Sequence, residues 1–249
     1  MISTAPALHT PGYNIGSISS LVCWYDSSRQ TESDDATVAT YTDRSPNGHD
    51  ATQSTDAKRA NIRYAELNGH PVLEFDNTDD YYVIPAAAFE GISDGLTVFA
   101  VVKKRVSTSK TDVIAHWDIG NAETEFGILH DQDEVLKILD GSHTFDDGSN
   151  SGDLFQIITV RAEPSVDVQA WYDGVEVTYG ALENPMTFPF TASFTNNPCI
   201  GDWYEGYGLR RLDGKLAELV VFSDHLTDQQ INWVHKAMAR KWGLTITEL

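Results

Sequence analysis

The chain has 249 residues, 41% of them hydrophobic, which is enough to bury the core of one large β domain. Its 17 basic and 37 acidic residues give a net charge of −20. A surface this acidic repels phosphates, so nucleic acid is excluded as an expected partner. No apolar run approaches the roughly 20 residues of a membrane-spanning helix, so membrane insertion is not expected either.

The first stretch, residues 1–20, contains prolines and glycines but has no apolar period. We expect an extended N-terminal arm here, followed by a single domain of residues 21–249. The arm has no basic start and no apolar centre, so it does not resemble an export signal. Ordering such a segment costs backbone entropy that a partner surface must offset. We therefore expect the arm to lie against a neighbouring subunit and the protein to be oligomeric.

Short apolar runs bounded by Gly, Asn, Asp and Ser follow, at about one strand every ten residues, which is typical of all-β proteins. The expected strands cover 21–28, 37–41, 72–75, 81–84, 96–104, 111–117, 124–130, 135–140, 154–162, 166–172, 175–177 and 216–222. Turns are expected at 47–48, 77–79 and 173–174, since Asn, Asp and Gly tolerate positive φ. The predicted fold class is all-β, a two-sheet antiparallel β-sandwich with one C-terminal α-helix.

That helix carries complete start and stop signals. Thr227 and Gln230 can form a capping box, and Gly243 is placed for a C-cap. An apolar row with helical spacing is expected to dock on the sandwich: Ile231, Val234, Met238 and Trp242.

Six segments resemble the laminin-G-like jelly rolls of the concanavalin A-like lectin/glucanase superfamily. They are LVCWYDSS, DRSPNGHDATQ, LNGHPVLEFDNTDDYYVIP, LTVFAVVKK, WYDGVEV and LDGKLAELVVFSDHLTDQQINWVHKAMARKWG, in the family's order across residues 21–244. Asn77 stands where such turns usually carry glycine, and His49 where asparagine is commoner. The resemblance implies a jelly-roll fold, but that fold serves lectins, hydrolases, adhesins and virion parts, so function must come from the sites.

The run Glu74-Phe75-Asp76-Asn77-Thr78-Asp79 nearly repeats the E-x-D-x-x-E strand of retaining glucanases on this superfold. Their chemistry needs two carboxylates about 5 Å apart on one face. A turn at Asn77-Thr78 removes the straight strand that would hold Glu74 and Asp79 in one cleft. We therefore predict no catalytic residue here and expect a hairpin whose aspartates cap its own backbone.

The same turn offers the oxygen ligands that calcium prefers. The candidate calcium ligands are Asp76, Asn77, Asp79 and Asp80. The alternative is a solvated acidic turn, and no other cofactor is indicated.

An aromatic loop near the last strand is the candidate surface for a ligand or a partner protein. Its residues are Asp202, Trp203, Tyr204, Tyr207, Arg210 and Arg211. Three aromatics in one loop are costly to expose without a partner, and Tyr, Trp and Arg are typical interface anchors. The alternative is that Trp203 folds back over the sheet edge.

Two buried features need separate interpretation. Glu218 is a carboxylate inside an apolar strand, and a structural, hydrogen-bonded role is favoured over a catalytic one. Cys23 and Cys199 lie in apolar strand settings and are predicted to be buried free thiols, with a disulfide as the alternative.

The function predicted from these features is a non-enzymatic structural and recognition protein of a bacteriophage virion, as a capsid decoration or a tail-attached subunit. A virion protein assembles in the host cytoplasm and is extracellular after lysis, which reconciles a lectin-like domain with the lack of an export signal. Its expected partners are other virion subunits and a cell-surface glycan. The alternatives are a free-standing carbohydrate-binding lectin, with calcium as a candidate cofactor, and a glycoside hydrolase.

Overall fold

The computed structural model describes residues 14–104, 112–117, 126–130, 136–139, 143–145, 153–163, 167–177, 197–203 and 211–249. The elements are β1 Leu21–Asp26, β2 Thr40–Tyr41, β3 Ala51–Thr52, β4 Asn61–Leu67, β5 His70–Asp76, β6 Tyr82–Val83, β7 Leu96–Lys104, β8 Asp112–Trp117, β9 Phe126–His130, β10 Leu136–Leu139, β11 His143–Phe145, β12 Gln156–Glu163, β13 Asp167–Tyr172, β14 Val175–Val177, β15 Cys199–Ile200, β16 Asp213–Phe222 and α1 Asp228–Trp242. Four 3-10 turns add Ile15–Ser17, Ser27–Arg29, Asp56–Lys58 and Ala86–Ala88.

The strands form two antiparallel sheets of eight strands each. The order in the first sheet is β14-β13-β12-β7-β16-β5-β4, and β1 also pairs with β16. The order in the second sheet is β11-β10-β9-β8-β15-β6-β3-β2. The strand β16 is the centre of the first sheet, since β7 lies along one edge while β5 and β1 share the other.

The main core lies between the two sheets and draws buried side chains from both. Aromatic rings connect them: the Tyr25 and Tyr41 centroids are 5.3 Å apart, and the Tyr41 and Tyr82 centroids 6.2 Å apart. Phe75 meets Tyr82 edge to face at 6.0 Å, a geometry that aromatic pairs prefer. The predicted two-sheet antiparallel sandwich is therefore confirmed.

The helix α1 covers the outer face of the first sheet. Its predicted capping box is present, because Thr227 Oγ1 accepts from the Gln230 backbone N–H while Gln230 Oε1 accepts from the Thr227 N–H. Gly243 ends the helix in the left-handed region at φ 70°, as a C-cap glycine does. The predicted docking row is buried, and the buried residues of the helix are Ile231, Val234, His235, Met238, Ala239 and Trp242.

His235 was not among the predicted docking residues. It is fully buried, its Nε2 lies 2.6 Å from Thr159 Oγ1, and its ring meets the edge of Phe99. Burial lowers the pKa of His235 to about 4. This histidine is a neutral core residue near pH 7.

The described part of the predicted arm packs on the same chain. Ile15 and Ile18 are buried in the cluster beneath α1, and the Asn14 side chain accepts from the Gly16 N–H to start the turn. Residues 1–13 lie outside the described residues, so contact of the arm with another subunit stays a prediction.

The turn after β5 does not form a hairpin, contrary to prediction. It joins β5 in the first sheet to β6 in the second, so it crosses the edge of the sandwich. The strand β4 was not predicted, because its burial pattern leaves most of its side chains at the surface and so weakens the apolar signal. The Asp173-Gly174 hairpin is confirmed, with φ of 50° and 82°.

Cys23 and Cys199 are buried thiols that are not joined in a disulfide, as predicted. They belong to different sheets, since β1 pairs in the first sheet and β15 in the second. Within the described ranges, no helix has both the length and the apolar character to cross a membrane.

Candidate functional site

The described part of the aromatic loop turns inward. Trp203 stacks on the buried His116 ring of β8 at 4.8 Å. Asp202 is fully buried, accepts from the Trp203 N–H at 2.8 Å and lies 3.4 Å from Arg211 Nε. Three predicted members of the loop, Tyr204, Tyr207 and Arg210, fall outside the described residues. Ligand or partner binding by this loop stays a prediction.

The turn of residues 76–80, here called the acidic turn, brings three predicted calcium ligands together. Carboxylate oxygens of Asp76, Asp79 and Asp80 all lie within 4.8 Å of one another. Burial, followed by the charge of Asp76, raises the pKa of Asp80 to about 7. Asn77 occupies the left-handed region at φ 61°, which explains how it replaces the usual glycine.

The acidic turn also shows why Glu74 and Asp79 do not form a glucanase-like strand. Asp76 Oδ1 accepts from the Thr78 N–H at 2.7 Å, and Asp80 Oδ2 accepts from the Asp76 N–H at 3.0 Å. The aspartates cap their own backbone, as predicted. Glu74 lies one pleat earlier on β5 and pairs with Arg63 and Lys215.

Glu218 belongs to a buried network on the helix-facing side of the first sheet. The register of β16 shifts between Leu216 and Glu218, and such a bulge re-aims the side chains that follow it. Trp24 Nε1 donates to Glu218 Oε1 at 2.6 Å, and Trp242 Nε1 donates to Oε2 at 2.5 Å. Lys241 Nζ lies 3.2 Å from Oε1.

Asp26 completes this network, because it lies directly opposite Glu218 in the β1–β16 register. Its carboxylate pairs with Lys241 and Arg44 and accepts from the Ser28 N–H. We call Trp24, Asp26, Glu218, Lys241 and Trp242 the Glu218 cluster. One ammonium thus binds two carboxylates on neighbouring strands, and the cluster fastens α1 to the sheet. Glu218 is hydrogen-bonded, as predicted, and its partners are two indoles and a lysine. That its role is structural and not catalytic stays a prediction.

The two carboxylates of the cluster shift in opposite directions. Burial raises the pKa of Glu218, and the charge of Asp26 adds to the rise while Lys241 opposes it. Burial alone would also raise the pKa of Asp26, but Lys241, Ser28 and Arg44 together hold it below its usual value. As the pH falls, Glu218 therefore takes up a proton before Asp26 does.

A solvent-open cavity of about 370 Å³ adjoins the Glu218 cluster, and we call it the Trp24 cavity. The half-buried Trp24 and the α1 residue Ala237 contribute apolar surface to its wall. Its hydrogen-bonding lining residues are Asn14, Asp26, Ser28, Arg29, Arg44, His70, Glu218 and Lys241. The guanidinium of Arg44 lies 4.0 Å from the Trp24 ring centroid.

Sequence reasoning singled out Glu218 but missed this cavity. Trp24 and Asp26 are two residues apart on β1 and so share a face, which is a signal that the sequence does contain. Lys241, in the last turn of α1, was not among the predicted site residues. The loop that carries Arg44 is set by Asp43, whose carboxylate accepts from the Trp24 N–H at 2.8 Å.

No protein-family model matches the sequence, and no curated protein matches it significantly. Solved structures with the same fold include sialidases of Trypanosoma rangeli. A mutant that displays trans-sialidase activity aligns with a TM-score of 0.62 and 14% identity, over 91% of this chain and 34% of the sialidase. The complex with 2,3-difluoro-KDN aligns with a TM-score of 0.62 and 14% identity, over 97% of this chain and 36% of the sialidase. A further structure of the sialidase aligns with a TM-score of 0.58 and 14% identity, over 91% of this chain and 34% of the sialidase.

These likenesses show the fold, and the chain spans about a third of the length of the sialidases that it matches. They agree with the jelly-roll resemblance, but they contradict the prediction of a non-enzymatic bacteriophage virion protein, because the structural neighbours are enzymes that act on glycans. That prediction relied on no chemical feature of a site in this chain. The expectation that the protein is not an enzyme loses its support for the same reason.

Proposed function

We propose that the chain is a carbohydrate-binding β-sandwich module and that the Trp24 cavity is its sugar site. The observation that carries this proposal is the composition of the cavity, which combines an indole surface with a ring of hydrogen-bonding side chains. Sugars offer both apolar C–H faces and hydroxyl groups, so they need this combination. A volume of about 370 Å³ falls within the range of small-ligand pockets.

The structural neighbours support a role with carbohydrates. These neighbours are sialidases, including one in complex with sialic acid, and this chain shares its fold with about a third of each. The fold alone assigns no activity, so the argument for this chain depends on its own cavity.

Glycoside hydrolysis is the second candidate function, and one observation favours it. Asp26 and Glu218 face each other with pKa values displaced in opposite directions, which is a pattern that separates a general acid from a base. Their oxygens, however, already accept from two indoles, one lysine, one arginine and Ser28. A substrate would have to displace these donors, so the geometry supports binding ahead of hydrolysis.

The proposed sugar site is tested with a substitution that fills the cavity and removes no interaction. Ala237→Trp places a large side chain in the cavity wall, and Gln229→Trp, on an exposed position of the same helix, is the matched control. A glycan array selects the sugar, and isothermal titration calorimetry measures its affinity for each variant. We expect Ala237→Trp to weaken binding at least about tenfold and Gln229→Trp to leave it unchanged.

Thermal melts check that both variants fold. Equal affinity in the two variants would place the sugar elsewhere and contradict the proposal. Hydrolysis is followed in parallel with fluorogenic glycosides. Steady product release by the wild type, lost in a folded Glu218→Gln variant, would establish the second candidate function instead.

A further inference from the structure

We infer that the Trp24 cavity selects a sugar that carries an anionic group, either a carboxylate or a sulfate, and that Arg29 makes the decisive contact. This inference rests on the proposed function, and it adds the class of ligand. It begins from the way in which charges are distributed around the cavity.

Cations face the solvent in this cavity while the anions lie behind them. The side chains of Arg44 and Lys241 are 27% and 23% exposed, whereas those of Asp26 and Glu218 are 0% and 1% exposed. The carboxylates are therefore shielded by the groups that bind them. A ligand that enters the cavity meets positively charged groups first.

Arg29 adds a cation that the cluster does not neutralise. It ends the 3-10 turn after β1, its side chain is exposed, and it lines the cavity. Among the residues that the structure describes, no acidic group pairs with it. A guanidinium presents a rigid fork of donors that matches the oxygens of a carboxylate or a sulfate.

The charge of the cavity is opposite in sign to that of the whole chain. Three cations, Arg29, Arg44 and Lys241, minus two carboxylates, Asp26 and Glu218, give +1, while the chain carries −20. An acidic surface repels an anionic glycan everywhere except at such a patch. The patch thus gives the protein both affinity and orientation toward an anionic sugar.

The experiment compares ligands that differ in charge. Calorimetry is run with a uronic acid oligosaccharide, sialyllactose, a sulfated galactose oligosaccharide, neutral lactose and sodium sulfate alone. The proteins are the wild type, Arg29→Ala, Arg29→Lys and the control Arg240→Ala, which removes an exposed arginine from α1 outside the cavity. Melting curves confirm that each variant is folded.

We expect one of the charged sugars to bind and to lose about tenfold in affinity in Arg29→Ala. Arg29→Lys should recover part of the loss, Arg240→Ala should stay within twofold, and salt should weaken binding. Neutral lactose binding as well as the charged sugars, with no effect of Arg29→Ala, would overturn this inference and leave the proposed function intact. If sodium sulfate binds but none of the three charged sugars does, the inference is also overturned. If no sugar binds, either in calorimetry or on the array, both proposals are contradicted.

Discussion

Among the described residues, two groups of buried or crowded carboxylates differ in the donors and cations that surround them. In the Glu218 cluster, Asp26 and Glu218 are matched by Lys241, Arg44 and two indole donors. In the acidic turn, three carboxylates approach one another within 4.8 Å. There the buried Asp80 has mainly a backbone N–H as its donor, and Arg211 offsets its charge only from a distance. Cations and donors hold the pKa of Asp26 below its usual value in spite of its burial, whereas burial raises the pKa of both Glu218 and Asp80.

The stability of the layer beneath α1 and that of the acidic turn are expected to depend on pH with opposite signs. The layer beneath α1 contains His235, whose lowered pKa makes the fold weaker in acid. The shifts of Asp26 and Glu218 oppose each other and cancel in part. Asp80 has a raised pKa, so its ionisation makes the fold weaker as the pH rises.

The largest expected effect comes from breaking the Glu218 cluster. Glu218→Ala leaves Lys241 with one carboxylate fewer and two indole N–H groups without their acceptor, so we expect a loss of about 3–5 kcal/mol in the free energy of unfolding. Glu248→Ala removes the exposed partner of Lys236 and should cost less than about 1 kcal/mol. Urea denaturation measures both values. Equal losses in the two variants would show that the cluster does not fasten the helix.

The next largest effect is the loss of stability in acid that His235 causes in the layer beneath α1. Folded His235 titrates at about 4, against an ordinary value of 6.5. Between these values the unfolded chain binds the extra proton, so stability present above pH 6.5 is lost as the pH falls toward 4. We expect the wild type to lose about 2–3 kcal/mol more than His235→Gln over this interval. Urea melts at several pH values provide the comparison, and parallel pH profiles would contradict a neutral, buried His235.

The acidic turn should change the stability of the protein with pH in the opposite direction. Asp80 holds its proton up to a pH of about 7 in the folded state but only to about 3.8 when unfolded. The folded state therefore binds more protons in this interval, and stability falls as the pH rises through it. Asp80→Asn removes the charge and keeps an oxygen acceptor, so it should stabilise the protein by about 1–2 kcal/mol at pH 8. The gain should disappear near pH 4, and a variant that is destabilised at both pH values would refute this account.

The sequence predicted the sandwich and the helix because their signals are local. Alternating apolar runs, the Thr227–Gln230 box and Gly243 each lie within a few residues of the structure that they specify. The signal for the acidic turn was also local, so the clustering of its carboxylates could be predicted. The crossing of this turn from one sheet to the other could not be predicted, since β5 and β6 take partners that are distant in sequence.

The Trp24 cavity could not be predicted for the same reason. Its parts come from β1, the loop after Asp43, β16 and α1, which only the folded topology brings together. The contact of Trp24 with Glu218 spans 194 positions. A single sequence can mark Glu218 as unusual in an apolar strand, but it cannot show which indoles and cations meet it.

The smallest expected effect concerns the predicted calcium ligands of the acidic turn. Calcium binds oxygens at about 2.3–2.6 Å, so two ligands of one ion lie no more than about 5 Å apart, and the 4.8 Å limit among Asp76, Asp79 and Asp80 fits this. Burial raises the pKa of Asp80 first and the charge of Asp76 second, and a bound cation would offset both effects. If the affinity is in the millimolar range, as in loosely built extracellular modules, saturating calcium at pH 8 should add about 1 kcal/mol of stability.

Differential scanning calorimetry with 10 mM calcium against sodium chloride of equal ionic strength measures this gain, with Asp79→Asn as the matched variant. The increase should disappear in Asp79→Asn, and magnesium should produce less of it, because magnesium demands a stricter octahedral geometry and gives up its water reluctantly. The same increase in wild type and variant would mean that calcium binds elsewhere. The acidic turn would then be a solvated turn, whose carboxylates act only on its own backbone.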